Sequence, residues 1–370
     1  MESNVSTDFA EIHDELRDVA RGILGGPVPA TWEQLTDAGW LGLEVPEALG
    51  GAGATFAEVA VILEEMGCFA SPGPYVSTAV LGVGTLALVA PRPARDALLG
   101  RIATGETRVA VAAWEGSDGC VGRRPAFRLH RSAESLRLEG RADFVLDVSD
   151  VDELLFLAVD PDEVPVVVHV EAGASGVSVE PQVLLDSTRV VGALRAEGAS
   201  VGSESVWRLA DDGTTGIRSV FDRGAVAIAC DALGLAKAML DATVAYAGVR
   251  HQFDRPIGSF QAVKHACADM LVRVSVSEQL VALAVAALVD GDPDASAAAS
   301  RAASYVTAAA VDVVGAAMQL HGGIGYTWES GIHVHLKRAI LDRALFGSPM
   351  AHRRYLADRI ISLAAPAREG

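Results

Sequence analysis

Cysteine is scarce and dispersed: Cys68, Cys120, Cys230 and Cys267 stand far apart, and no CxxC pair occurs. Such spacing does not build a disulfide scaffold and points to a reducing compartment. The segment Met1–Ala10 lacks the basic-then-apolar order of a signal peptide, which adds to the expectation of a cytoplasmic protein. No uncharged apolar run reaches the length of a membrane span, so a soluble chain with no membrane partner is expected. Positive charge is also short. Forty-eight acidic residues against 30 basic ones give a net charge of −18, which repels polyanions and argues against a nucleic-acid partner.

What is present is length and apolar content. With 370 residues, 50% of them hydrophobic, the chain can bury a large core in two or three domains or one multi-layer unit. From Phe9 to about Leu99 apolar residues recur at helical spacing. Ile12, Leu16, Val19 and Ile23 mark one face of a first helix, and Val59, Ile62, Leu63 and Met66 mark another. Gly50, Gly51 and Gly53 lie between them; a phosphate-cradling loop needs a strand before it, and none is expected there, so they read as a structural turn.

From about Arg108 to Leu209 the pattern changes to short valine-rich runs: Val109–Ala113, Ser135–Leu138, Leu154–Val159, Val164–Val170 and Gly176–Val179. They predict a small β-barrel or sandwich. Beyond Ser219, the spacing of Ile228, Ala232, Leu235, Met239 and Tyr246 predicts a long helix ending near Val249. Further helices are expected over about 262–289, through Val306–Leu320, over 330–340 and over 351–363. The expected class is α+β, with an N-terminal helical domain over 1–107, a middle β domain over 108–210 and a C-terminal four-helix-bundle-like domain over 211–370.

Two stretches carry chemistry. Arg250-His251-Gln252-Phe253-Asp254-Arg255-Pro256-Ile257-Gly258-Ser259-Phe260-Gln261 follows the long helix and gathers arginine, glutamine and phenylalanine around a proline turn, as an anionic, aromatic ligand requires. Arg250 can meet a pyrophosphate with a two-pronged contact. It can equally cap a helix C-terminus, where the dipole favours a cation. The second stretch is Gln319-Leu320-His321-Gly322-Gly323-Ile324-Gly325-Tyr326-Thr327. One glycine suffices to stop a helix; three also let a flat ligand lie on bare backbone. His333 and His335 alternate with no evident third ligand, so no metal site is expected.

Together with Trp32, the run Gly39-Trp40-Leu41-Gly42-Leu43-Glu44-Val45-Pro46, the glycine turn, Glu64-Glu65-Met66-Gly67 and the α–β–α order, these stretches resemble the acyl-CoA dehydrogenase family over nearly the whole chain. Arg250, Gln252 and Phe253 match the family's RxQF signature for FAD, and Phe260 and Gln261 match its continuation. Gln319, Gly322 and Gly323 match QxxGGxGY, whose glutamine and glycines contact the FAD of a neighbouring subunit. The resemblance therefore implies FAD as cofactor, an acyl-CoA substrate and an electron-transfer acceptor protein. Asp186-Ser187-Thr188-Arg189 is similar to the family's DxTR segment. The turn that grips the flavin ring in relatives has only a degraded match, Ala113-Trp114-Glu115-Gly116-Ser117-Asp118, and Ala142–Ser149 offers no counterpart of the tryptophan loop.

The family removes an α-proton with a carboxylate while a hydride leaves the β-carbon. The two places where members carry that carboxylate hold Phe346 and Gly224 here, so no catalytic residue is assigned. Asp222 lies two residues from Gly224, a rotation of about 200° on a helix. Met350 stands where relatives have a polar cofactor contact. The resemblance thus implies a subunit that completes the site of a homologous catalytic chain, as in actinobacterial α2β2 enzymes that shorten steroid side chains. The alternatives are a self-sufficient homo-oligomer using Asp222 or another carboxylate as a non-standard base, and a flavin-free scaffold or acyl-CoA binder.

Overall fold

The computed structural model describes residues 2–114, 125–132, 135–210 and 214–364. Five helices come first: α1 (Glu2–Leu24), α2 (Trp32–Asp37), α3 (Phe56–Cys68), α4 (Val83–Leu88) and α5 (Pro93–Ala103). Reciprocal capping starts two of them, Thr31 with Gln34 and Thr55 with Glu58, each satisfying backbone N–H groups that the first helical turn leaves unpaired. The expected face of α1 needs correction. Among its described residues Ala20 and Leu24 are buried and Leu16 and Ile23 of the expected face pack partly buried against the core, whereas Ile12 and Val19 are about half exposed. Polar pairs, His13 with Glu58 and Arg21 with Glu65, fix how α1 lies on α3, and apolar spacing alone does not reveal that rotation.

Among the described residues eight strands follow: β1 (Val109–Ala112), β2 (Phe127–Arg131), β3 (Leu136–Leu146), β4 (Glu153–Val159), β5 (Pro165–Glu171), β6 (Val177–Gln182), β7 (Val191–Val201) and β8 (Val206–Arg208). They form one mixed sheet in the order β6-β7-β3-β2-β4-β5-β8, with β1 also paired to β4. β4 is its centre and is buried throughout. Leu154, Phe156 and Ala158 enter a core internal to the sheet, while Leu155 and Leu157 join the large core shared with the helices. A strand buried on both faces reads as a continuous apolar run, and this one was legible. Strands β2 and β7 alternate with Arg, His, Glu and Gly and were not.

The C-terminal part is helical: α6 (Thr214–Val249), α7 (Gln261–Val289), α8 (Ala295–His321), α9 (Ile332–Asp342) and α10 (Pro349–Ala364). Buried alanines on α6 and α8, among them Ala225, Ala232, Ala299, Ala303 and Ala310, leave little side chain between the helices and let them pack closely. The same composition makes two of these segments apolar overall, although each carries charged residues, Arg273 and Glu278 in α7 and Arg301 and Asp312 in α8. By length and composition, α7 and the segment Ala295–Tyr326 could each cross a membrane. The apolar window of the second is 56% buried, as suits a core helix, but that of α7 is only 28% buried. Met270, Val274, Val281 and Ala284 turn inward from α7, while Leu271, Val272 and Leu283 are exposed.

Candidate functional site

Helix α6 ends at Val249, and the Arg250 N–H donates to the Tyr246 carbonyl at 2.9 Å. The chain then turns through a hairpin of β9 (His251–Gln252) and β10 (Arg255–Pro256), with Gln252 opposite Arg255. Its two loop residues, Phe253 and Asp254, both lie at positive φ, 54° and 62°. That geometry matches the twist of a hairpin but suits Asn-Gly, and a bulky Phe there is strained. The turn leaves the Phe253 ring 86% exposed. It stands edge-on to Phe260 at 6.1 Å, and the Arg255 guanidinium lies 4.1 Å over Phe260. Arg250, Gln252 and Gln261 are all exposed.

Helix α8 ends in the second stretch. Gln319 is exposed, and its Oε1 accepts from the Tyr326 hydroxyl at 3.4 Å. Gly322 has φ of 62° and needs to be glycine for that reason, whereas Gly323 is not at positive φ. A Cβ on either would meet nothing within 4 Å. Packing within this chain does not account for glycine at 323. The rings of Tyr246 and His321 stack at 4.4 Å and 18°, so the Arg250 hairpin and the Gln319 loop stand at the same end of the bundle.

The positions of Phe346 and Gly224 have a different character. A Cβ built on Gly224 would fall 2.3 Å from Cε1 of Phe346. The Phe346 ring therefore rests on the bare backbone of α6, and no gap remains between the two positions. Trp114 and Phe221 complete the plug edge-to-face, with ring separations of 5.4 Å between them and 6.1 Å from each to Phe346. Ala225 and Ala303 close it from α6 and α8. Edge-to-face contacts contribute about 0.5–1.5 kcal/mol each beyond burial. Phe346 itself has φ of 51°, and the buried His352 holds its backbone: Nε2–H donates to the Phe346 carbonyl at 2.9 Å, and Nδ1 accepts from the Ser300 hydroxyl at 3.2 Å. Burial pushes the His352 pKa down to about 4, so the ring is neutral.

Asp222 is occupied elsewhere. Its Oδ1 accepts from Arg218 Nε at 2.8 Å and its Oδ2 from the Ser296 hydroxyl, and burial raises its pKa. Met350 is 65% exposed. Trp114 is partly buried, as an ordinary core aromatic would be, and residues 115–118 of the flavin-turn match lie outside the described residues. His335 Nε2 faces the Cys68 carbonyl while His333 packs edge-on to Trp328. No group of three or more His, Cys, Asp or Glu placed to hold a metal occurs among the described residues.

Asp186-Ser187-Thr188-Arg189 leads into a buried charge network that no sequence spacing announced. Arg338 on α9 donates to Asp231 on α6 through Nε at 2.8 Å and Nη2 at 2.5 Å, and through Nη1 to the Ser71 carbonyl and the Thr188 hydroxyl. Arg189 reaches Asp231 at 3.1 Å and Asp342 at 3.4 Å. The two guanidinium groups hold the Asp231 carboxyl low, whereas burial and the neighbouring Asp231 push Asp342 well up. This network ties the N-terminal helices, the sheet and the bundle together.

The chain matches known proteins along most of its length. Residues 211–361 match the family description "Acyl-CoA dehydrogenase, C-terminal domain", and residues 7–106 match "Acyl-CoA dehydrogenase, N-terminal domain". It is 33% identical over 329 residues to acyl-CoA dehydrogenase FadE34 of Mycobacterium tuberculosis, covering 88% of this chain but 41% of FadE34, so it spans less than half of that relative. To acyl-CoA dehydrogenase IpdE2 of Mycolicibacterium smegmatis it is 30% identical over 330 residues, 89% of this chain and 87% of the relative. Among solved structures, a chain of a Tcur3481-Tcur3483 steroid ACAD variant superposes with a TM-score of 0.85 at 28% identity, covering 96% of this chain and 99% of that one.

Proposed function

We propose that this chain, which belongs to the acyl-CoA dehydrogenase family, is the non-catalytic subunit of an FAD-dependent enzyme that oxidises the Cα–Cβ bond of an acyl-CoA thioester. The observation that supports the reading is the Phe346 ring packed on Gly224, which fills with an aromatic side chain the two positions where the family carries its base. The residues here do not fit a reacting ring and acyl group. They do fit the far half of the cofactor, because Arg250, Gln252, Phe253, Gln319, Gly322 and Gly323 all face outward at one end of the bundle.

Bound FAD would supply the acceptor for the hydride leaving the acyl β-carbon. The part of this chain is recognition. Arg250 would hold the pyrophosphate through a charge-assisted contact, and Gln252, Phe253, Phe260, Gln261, Gln319 and the bare backbone at Gly322 and Gly323 would hold the rest of that half of the cofactor. The carboxylate that takes the α-proton comes from a homologous catalytic chain, in an α2β2 assembly that passes electrons to an acceptor protein. The steroid ACAD relative favours a sterol side chain over a fatty acyl group as substrate. The assembly acts in the cytoplasm. Against a self-sufficient homo-oligomer that uses Asp222 stands the engagement of both its carboxylate oxygens by Arg218 and Ser296.

The test is Arg250→Ala in the complex purified with its catalytic partner. Loss of a charge-assisted pyrophosphate contact should weaken FAD binding by about 1.5–3 kcal/mol. Unchanged FAD affinity would remove Arg250 from the site and the reading with it.

A further inference from the structure

The two outward-facing segments are each fastened to their own helix. The hairpin is pinned to α6 by the Ile257 N–H, which donates to the Arg250 carbonyl at 2.7 Å. The glycine loop folds back over α8, where a Cβ on Gly325 would fall 2.5 Å from the Met318 carbonyl. What registers one segment against the other is a separate contact in the last turn of each helix. Tyr246 of α6 lies face to face with His321 of α8, ring centres 4.4 Å apart and planes 18° from parallel. His321 is fixed on its own side by a hydrogen bond between Nδ1 and the Ala317 carbonyl at 2.8 Å, one turn back. Its ring therefore has one orientation, and Tyr246 lies flat against it. Tyr246 stands four residues before Arg250, and His321 two residues after Gln319 and one before Gly322.

We infer that Tyr246 and His321 are positioning residues for the cofactor half-site: their stack sets the separation between Arg250 and the Gln319–Gly323 loop, without either ring needing to touch the cofactor. This rests on the half-site reading above. A ligand bridging two segments must find both at the right separation, and a shift of about 1 Å in a binding group is enough to weaken it markedly. Two flat rings with a single stacked arrangement hold that separation better than aliphatic side chains, which slide and change rotamer.

The test measures FAD affinity in the complex of this chain with its catalytic partner, for Tyr246→Leu, Tyr246→Phe, His321→Leu and Arg250→Ala. Tyr246→Leu and His321→Leu should each weaken FAD binding by about two- to tenfold. Tyr246→Phe, which keeps the ring face, should restore it, and the melting temperature of the FAD-free complex should stay the same across the three. The inference is overturned if both leucine variants bind FAD as wild type does, or if Tyr246→Phe is as weak as Tyr246→Leu. Arg250→Ala separates the two levels of the account. If it weakens FAD while the leucine variants do not, the positioning role fails and the half-site stands; if neither affects FAD, the half-site fails too.

Discussion

Adding one methyl group at Gly224 should destabilise the wild-type chain and stabilise a chain whose Phe346 has been cut back to alanine. The new Cβ would lie 2.3, 2.6 and 2.7 Å from Cε1, Cδ1 and Cζ of Phe346. Carbon atoms prefer separations of about 3.5–4.0 Å, so the ring must retreat by roughly an ångström into Trp114 and Phe221. Such overpacking costs about 1–3 kcal/mol. Replacing glycine by alanine inside a helix returns about 1 kcal/mol through backbone entropy. Gly224→Ala alone should therefore lower stability by up to about 2 kcal/mol. In the Phe346→Ala background the clash is gone and the same substitution should raise stability by about 1 kcal/mol. Denaturant unfolding of the four proteins, followed by far-UV circular dichroism and Trp114 fluorescence, gives a coupling energy of about 1–3 kcal/mol if the plug is as described. Equal effects of Gly224→Ala in both backgrounds would show that Phe346 does not rest on Gly224.

Two further outcomes follow from the same geometry. His352 is neutral when folded, with its pKa pushed down by burial from 6.5 to about 4. Between those values the unfolded chain binds the proton and the folded chain does not, so stability is lost as pH falls through that window, by roughly 3 kcal/mol in all. His352→Gln, whose amide can still donate to the Phe346 carbonyl, should flatten that slope; an unchanged difference in stability between pH 4 and 6.5 would contradict it. Asp147, raised to about 6 by burial, tilts the profile the opposite way in both proteins, so the comparison isolates His352. At Gly323 the expectation is the reverse of Gly224. A methyl group there meets nothing in this chain, so Gly323→Ala should leave the melting temperature unchanged while lowering FAD affinity in the complex, and loss of stability without loss of FAD would refute the outward role.

The sequence made the helices easy to read and the sheet only half so. Long helices such as α6, α7 and α8 announce themselves because their apolar spacing persists for many turns. β4 shows as an apolar run because both its faces are buried, whereas β7 carries Arg195, Glu197 and Gly198 in a strand one of whose two partners, β3, is remote in sequence. The candidate site shows in the sequence as motifs and as gaps in motifs: Arg250 and Gln319 by their neighbours, Phe346 and Gly224 by what they replace. That those two replacements touch could not be read, since 122 positions separate them and only packing brings them together. The same holds for Tyr246 with His321 and for Arg338 with Asp231. Each pair joins helices far apart in the chain, and neither partner has a spacing that singles it out.

The most direct measurement compares FAD content and acyl-CoA-dependent reduction of an artificial electron acceptor for this chain alone and for its complex with a homologous chain that retains the base. The account predicts that the chain alone reduces no acceptor and holds well under one FAD per chain, whereas the complex holds one FAD per pair and turns over. A chain that, purified alone, carries one FAD and oxidises an acyl-CoA would contradict it.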